Sequence, residues 1–381
     1  MLQVFNDLKK RVALIDDVTD FCIERTLEYG DKKISFKYPR KGSHATDLKN
    51  EYYIRTKDDE YVIKSVADGE ETNSYIAQLN IEELESKQFI YGYKSTEKTI
   101  TACLTEVLSG TGWTVGVCSI TKKRTIEKEE SCTAWELVKE CISTYRVEID
   151  INSIDKVIDI YEQLGSDKGS YIMEGLNLKK LSRTKTTYDF FNVIIPIGKD
   201  GLEINVNGKN YIENFDYTSK RITRIWKDER YTNTESLIED ATAKVKEASR
   251  PVEAYAVEIK DLAAQSDMYN IIDYDLGDVV TLISKNNRIK TKQRIVKIIE
   301  YPKKPKNNSV ELSTAKKTFS QIQKSAQEIT KQQAIEAAKN IVSASAIALT
   351  SDNPSENVTR EEFETFKQDI EQRLSVLEGG E

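Results

Sequence analysis

Tyr274-Asp275-Leu276-Gly277-Asp278-Val279-Val280-Thr281-Leu282-Ile283 leads into a polar turn at residues 284–288, and Arg294-Ile295-Val296-Lys297-Ile298-Ile299-Glu300-Tyr301 follows, stopping at Pro302. In the first run Val279, Thr281 and Ile283 alternate with Val280, Leu282 and Ser284. In the second, Arg294, Val296 and Ile298 alternate with Ile295, Lys297 and Ile299. A period of two marks strands, because successive side chains leave opposite faces. Asn286 and Asn287 suit the turn, since Asn tolerates positive φ and bonds its own backbone. Leu276-Gly277-Asp278 reads as the structural turn that opens the hairpin, with Gly277 at a bend that a residue lacking Cβ reaches freely. The expected unit is a hairpin closing a small β-barrel, with a last strand at residues 309–313. It carries no catalytic chemistry.

A chain of 381 residues exceeds what one core usually holds, so two to four domains are expected. Charged residues make up 31% and mean hydropathy is −0.54, yet 39% hydrophobic content with 19 Tyr and 10 Phe supplies core material. No apolar run reaches the length of a membrane span. The first residues also lack the basic-then-apolar pattern of a signal peptide, so synthesis and folding in a cytosol are expected, with no membrane insertion. Cys22, Cys103, Cys118, Cys132 and Cys141 are odd in number and scattered, with no C-x-x-C pair, which reads as small buried hydrophobes rather than disulfides or a zinc site. A net charge of −7 does not suit gripping DNA phosphates but suits surrounding DNA without holding it.

Along the chain, the pattern predicts an α+β, mostly β protein: two β-barrel-like domains, a small α+β domain between them, and a C-terminal helical tail. Residues 1–95 alternate short β-branched and aromatic runs with turn signals, as a barrel or sandwich does. In residues 96–169, Ile100, Cys103, Leu104 and Val107 share one helical face, Trp135, Val138, Cys141 and Ile142 another, and residues 146–151 with 156–161 form a hairpin. Residues 170–315 hold further strands and one amphipathic helix at 235–249. Pro196 demotes the strand at 192–198 to an edge or places a bulge there, and Asn207-Gly208 favours a hairpin turn. Residues 316–381 are helical in pattern. Phe319, Ile322 and Ile329, and after a break Phe363, Phe366 and Ile370, form a thin apolar seam that fits either self-association or packing on the body.

Catalytic motifs are scarce in the sequence. His44 is the single histidine, in a polar loop, which excludes H-E-x-x-H and leaves a Ser-His-Asp triad without an elbow. The acid clusters Asp16-Asp17, Asp58-Asp59-Glu60 and Glu70-Glu71 lie in or beside turns, where acids are ordinarily solvated; Asp58 with Glu60 is the pair a glycan or peptide hydrolase would use. Gly110-Thr111-Gly112 and Gly198-Lys199-Asp200-Gly201 match no phosphate-binding loop, and Lys303-Lys304-Pro305-Lys306 is too short for nucleic acid. No catalytic, cofactor-binding or metal-binding residue is expected.

Several local patterns carry a resemblance by their joint order over residues 20–313, roughly three quarters of the chain: Phe36-Lys37-Tyr38-Pro39, Glu60-Tyr61-Val62-Ile63-Lys64, Leu108-Ser109-Gly110-Thr111-Gly112-Trp113, Gly175-Leu176-Asn177-Leu178-Lys179, Ile195-Pro196-Ile197-Gly198-Lys199-Asp200-Gly201-Leu202, Trp226-Lys227-Asp228-Glu229 and Leu276-Gly277-Asp278-Val279-Val280. The chain resembles the N-terminal hub region of tail-associated proteins, labelled minor structural or prophage tail endopeptidase proteins, from phages and prophages of Gram-positive bacteria. The resemblance implies a structural, non-enzymatic baseplate or tail-tip hub in the virion, made in the host cytoplasm. It implies a homotrimer whose paired barrel-like domains match a hexameric tail tube above and a threefold spike, fibre or lysin below. DNA and the tape-measure protein would pass through its lumen without specific binding, and the distal tail protein would be a partner. Larger members continue into a peptidase domain, whereas this chain runs to Glu381 through helix-patterned sequence, which places any lytic activity on another polypeptide. A tail-associated cell-wall hydrolase and a receptor-binding adhesin are the rival readings.

Overall fold

β1 (Leu2–Phe5), β2 (Arg11–Ile15), β3 (Thr19–Thr26), β4 (Lys32–Pro39), β5 (Tyr53–Arg55), β6 (Glu60–Ala67) and β7 (Thr72–Leu79) are all antiparallel, in the spatial order β3-β4-β7-β6-β5-β1-β2. This is a computed structural model; it describes residues 1–260 and 273–314. Strand alternation sets the inner face: Ile34, Phe36 and Tyr38 of β4 and Tyr75, Ala77 and Leu79 of β7 are buried. Phe36 and Tyr75 sit opposite each other across the strands with stacked rings 5.1 Å apart, the cross-strand pair that stabilises such sheets.

A π-helical turn, Glu83–Lys87, leads into β8 (Phe89–Thr99), α1 (Ile100–Val107), β9 (Thr114–Cys118), β10 (Lys123–Thr133), α2 (Ala134–Tyr145), β11 (Glu148–Asn152) and β12 (Val157–Tyr161). The Thr99 side chain caps α1, and Thr133 with Glu136 forms a full capping box on α2. Their expected apolar faces are buried, and one continuous apolar cluster runs from Leu2 to Ile160 through both helices. The long β8–β10 ribbon escaped the sequence reading. It is rich in Lys and Glu, its register slips twice, and among the described residues each strand pairs only with the other, so neither shows a clean alternation.

Next come β13 (Tyr171–Met173), β14 (Leu178–Thr186), β15 (Val193–Ile197), β16 (Ile212–Glu213), β17 (Thr223–Lys227), α3 (Thr234–Ala248), β18 (Val252–Ile259), β19 (Val279–Ser284), β20 (Ile289–Glu300) and β21 (Ser309–Ser313). Pro196 does not sit on an edge strand, because β15 lies between β16 and β17. It is tolerated since β16 is only two residues long and pairs with Val193 and Ile194, leaving no ladder partner for residue 196 on that side. The Asn207-Gly208 turn forms, both residues at positive φ, but closes on a single bridge between Val206 and Lys209. In the β19–β20 turn the positive φ falls on Arg288 rather than on either Asn; Asn287 instead donates its side-chain amide to Ser284 Oγ at 2.8 Å.

The expected β19–β20 hairpin forms, with Val279 opposite Arg294 and Ser284 opposite Ile289. The rest of β20 does something the hairpin alone does not require. One edge pairs first with β19 and then, from Lys297 to Glu300, with Thr26 to Ile23 of β3, while the opposite edge pairs with β21. A single sheet of thirteen strands therefore crosses from the N-terminal to the C-terminal part. Leu27, just beyond β3, donates its amide to the Val296 carbonyl at 3.0 Å and belongs to the second apolar cluster, with Ile295, Ile298, Val310 and Leu312.

Gly277 has φ +86°, and a Cβ there would stand 2.3 Å from the Leu164 carbonyl oxygen. Gly208 has φ +81° with nothing within 4 Å of its Cβ position. Gly277→Ala is therefore expected to destabilise the chain by about 3 kcal/mol or more, combining backbone strain with overpacking. Gly208→Ala should show the backbone strain alone, about 1–2 kcal/mol. Urea midpoints at unchanged slope read the difference.

Candidate functional site

The acid cluster at residues 58–60 is where catalysis would have to be. Asp58 is exposed, but Asp59 and Glu60 are only 5% and 4% exposed, so the expectation of solvated turn residues is corrected for those two. Glu60 opens β6 and accepts hydrogen bonds from Lys9 Nζ, from Arg55 Nη2 at 2.7 Å and from Asn80 Nδ2 at 2.7 Å. Burial by itself raises the Glu60 pKa; the bonds from Lys9, Arg55 and Asn80 outweigh it and hold the carboxyl below its ordinary value. Asp59 accepts from Lys32 Nζ at 3.1 Å and from both the amide and the hydroxyl of Ser153 at 3.0 Å. Ser153 Oγ in turn accepts the Glu60 amide at 2.8 Å. Two cations and an amide on the Glu60 carboxylate favour its ionised form. General acid catalysis needs a carboxyl held protonated near neutrality, and the surroundings of Glu60 favour the opposite state. What the cluster does is fasten β6 to the loop after β11.

A second fastening centres on the turn singled out in the sequence. Leu276 is buried in the second apolar cluster, and Asp278 is buried while accepting from the Ser166 amide at 2.9 Å, Lys168 Nζ at 2.7 Å and the Asp275 amide at 2.8 Å. Gly165, at φ +75°, packs against the Gly277 backbone so closely that a Cβ would meet its carbonyl carbon at 2.4 Å. Two glycines thus let the chain leaving β12 cross the turn opening β19. Arg294 locks the crossing: Nε donates to the Gly277 carbonyl at 2.9 Å, and the guanidinium forks onto both oxygens of buried Glu148 on β11, with Nη1 to Oε1 at 2.6 Å. Arg25 of β3 adds ion pairs to Asp275 at 2.8 Å and Glu300 at 3.3 Å.

A third set holds α3 against the helical unit. Arg124 of β10 reaches Asp240 at 3.3 Å and Glu239 at 2.9 Å, and the Tyr231 hydroxyl donates to Asp240 at 2.7 Å. Arg230 donates to Glu140 at 2.6 Å and Thr144 at 2.7 Å on α2. The basic run at 303–306, too short for nucleic acid, is also a clamp: Lys303 Nζ donates to the Asp16 carbonyl at 2.6 Å, and Lys304 pairs with Asp20 at 3.0 Å. Sequence inspection had no means of finding these partners, which lie up to 287 residues apart.

The other expected residues fall as follows. His44 Nδ1 lies 3.0 Å from Asp47 Oδ2 in the polar loop after β4. All five cysteines are free; Cys103, Cys132 and Cys141 are buried, and burial pushes the Cys132 and Cys141 thiols up. Phe319, Ile322, Ile329, Phe363, Phe366 and Ile370 lie outside the described residues. Among the described residues, no group of three or more His, Cys, Asp or Glu side chains is arranged to hold a metal ion, and no helix is long and apolar enough to cross a membrane. The geometry is that of a frame whose buried charges join its parts.

Three consecutive stretches match family models: residues 2–82 the prophage endopeptidase tail N-terminal domain, residues 87–160 the prophage endopeptidase tail domain, and residues 166–323 the prophage endopeptidase tail. No curated protein matches the chain. Among solved structures, the prophage tail protein gp18 of Listeria monocytogenes EGD-e is similar over 85% of this chain and 98% of its own, at 19% identity and a TM-score of 0.63. The 43 kDa tail protein of prophage MuSo2 from Shewanella oneidensis matches 82% of this chain and 97% of its own, at 14% identity and a TM-score of 0.59. A tail protein of Neisseria meningitidis MC58 covers 82% and 95%, at 10% identity and a TM-score of 0.56. At such identities these likenesses establish a shared fold. Taken with the successive family matches, which together span most of the sequence, they place the chain in the prophage endopeptidase tail family.

Proposed function

We propose that this prophage tail protein is a structural hub of the tail tip or baseplate, and that its activity is assembly. Three copies form a ring in which the β-rich regions 1–95 and 170–315 of each chain, separated by the α+β region 96–169, alternate around a lumen. That ring matches the tail tube on one side and a threefold spike, fibre or lysin on the other, with the distal tail and tape-measure proteins as further partners. The turn Leu276-Gly277-Asp278 shapes the second ring-forming region. The observation that carries this reading is the β3–β20 pairing, which makes the two β-rich regions parts of one sheet. A ring segment that transmits load between a tube and a spike needs that rigid register. The word endopeptidase belongs to the family's name; the acids at residues 59 and 60 support a structural role.

The full chain in light scattering is expected at three times its 43.5 kDa mass. A monomer at high concentration contradicts the ring. In zymography on cell-wall substrate the purified chain is expected to leave no clearing, and clearing abolished by Asp58→Ala would establish the hydrolase reading instead. The Glu60 carboxyl also makes a pH prediction. Its folded pKa is lowered, so the stability it contributes is complete above the ordinary Glu value of about 4.3 and lost as pH falls toward the folded value. Glu60→Gln is expected to be less stable than the parent at pH 7 and to show a shallower acid decline, read from urea midpoints across that range.

A further inference from the structure

The thirteen-strand sheet branches: its main path ends at β2 and β14, and a side branch through β19 ends at the three-residue β13. The two ends of the main path are chemically unlike. Among the described residues β2 pairs only with β1, and β14 only with β18. Natural edge strands are normally guarded by charge, proline or a covering element. β14 is strongly cationic: Lys179, Lys180, Arg183 and Lys185 line it, partly offset by Glu253 and Glu258 of β18, so it favours only a strand that brings acidic charge. β2 is largely apolar. After Arg11 it reads Val12-Ala13-Leu14-Ile15, with Ala13 and Ile15 buried but Val12 36% and Leu14 46% exposed, and it runs into exposed Asp16 and Asp17. Asp16 shares its charge with the chain's amino terminus at 3.4 Å and Lys303 at 3.8 Å, while Asp17 has no ion pair among the described residues.

Resting on the ring reading above, we infer that β2 of one copy docks along β14 of a second copy. The occupant is another copy because the chain itself carries the complement: a cationic open edge at one end of the sheet and an apolar open edge with an acidic exit at the other. Backbone hydrogen bonds across added strands supply the adhesion. Opposite charges at the strand ends steer the encounter and select the partner edge. Because the two surfaces differ, the contact is head to tail, and such contacts close into a ring when the rotation permits. The sheet then runs without interruption from copy to copy.

The test uses the full-length chain in native mass spectrometry and light scattering. Val12→Lys with Leu14→Lys, both at exposed positions, blocks one edge; Lys179→Glu with Lys185→Glu blocks the other. Each double variant is expected to raise the dissociation constant of self-association at least tenfold with an unchanged circular dichroism spectrum. Tyr91→Ala, at a residue 84% exposed on the β8–β10 ribbon, should leave association unaltered. Mixing the two double variants should yield one-to-one heterodimers, since each retains one working edge. A parent trimer that both double variants preserve overturns this inference and leaves the hub reading intact. Homodimers of the Lys179→Glu, Lys185→Glu variant would show β2 pairing with itself and also overturn it. A parent that stays monomeric at every concentration contradicts both.

Discussion

One edge of β20 serves two strands in turn. Its first half is held by β19, its own hairpin partner, and its second half by β3, more than 250 residues earlier in the chain. The length of β20, the bend before β19 and the placement of Leu27 all accommodate that sharing. The strand must be twelve residues long to reach both partners, the turn before β19 must bend sharply to leave room, and a glycine must occupy that bend. Leu27 then carries an N-terminal side chain into the C-terminal core. Because strand pairing has a fixed register, a one-residue slip at β3 would turn every side chain of the seam to the wrong face.

Buried charge reinforces the arrangement where apolar contact alone would leave it loose. Glu148 with Arg294, Asp59 with Lys32 and Ser153, and Arg124 with Asp240 each tie one structural unit to another. Desolvating such groups costs several kcal/mol per ion, so a buried pair adds little net stability over a well-packed apolar contact, but removing one partner costs about 3–5 kcal/mol. These pairs consequently act as registration pins: they penalise every relative placement of the units except the one in which both partners meet. The hub role proposed above calls for that kind of specificity.

The sequence made the local parts readable and hid the long-range ones, for a physical reason. Helix faces such as Ile100-Cys103-Leu104-Val107 and the capping Thr133 are written within a few residues of one another, and the Gly277 bend shows because only glycine fits there. Pro196 misled because a strand's edge depends on how long its neighbour is, and β16 is short. Asp59 and Glu60 looked solvated because none of their partners is marked in the local pattern, and one of them, Ser153, lies 93 or 94 positions away. The β8–β10 ribbon failed the alternation test because its faces are not cleanly inside and outside. The candidate site was legible as a turn at residues 276–278 but not as a junction, since Arg294, Glu148 and Gly165 carry no mark of their meeting.

If β3 and β20 form a permanent seam, both β-rich regions open together. Amide hydrogen exchange on the full chain tests it most directly. The amides of residues 23–27 and 296–300 that face the seam should exchange with the same opening free energy as Ile34 and Val310 in the two cores, as members of one cooperative unit do. Seam amides that exchange about 100-fold faster or more than both cores, while those cores stay protected, would show two independently opening regions and contradict the account.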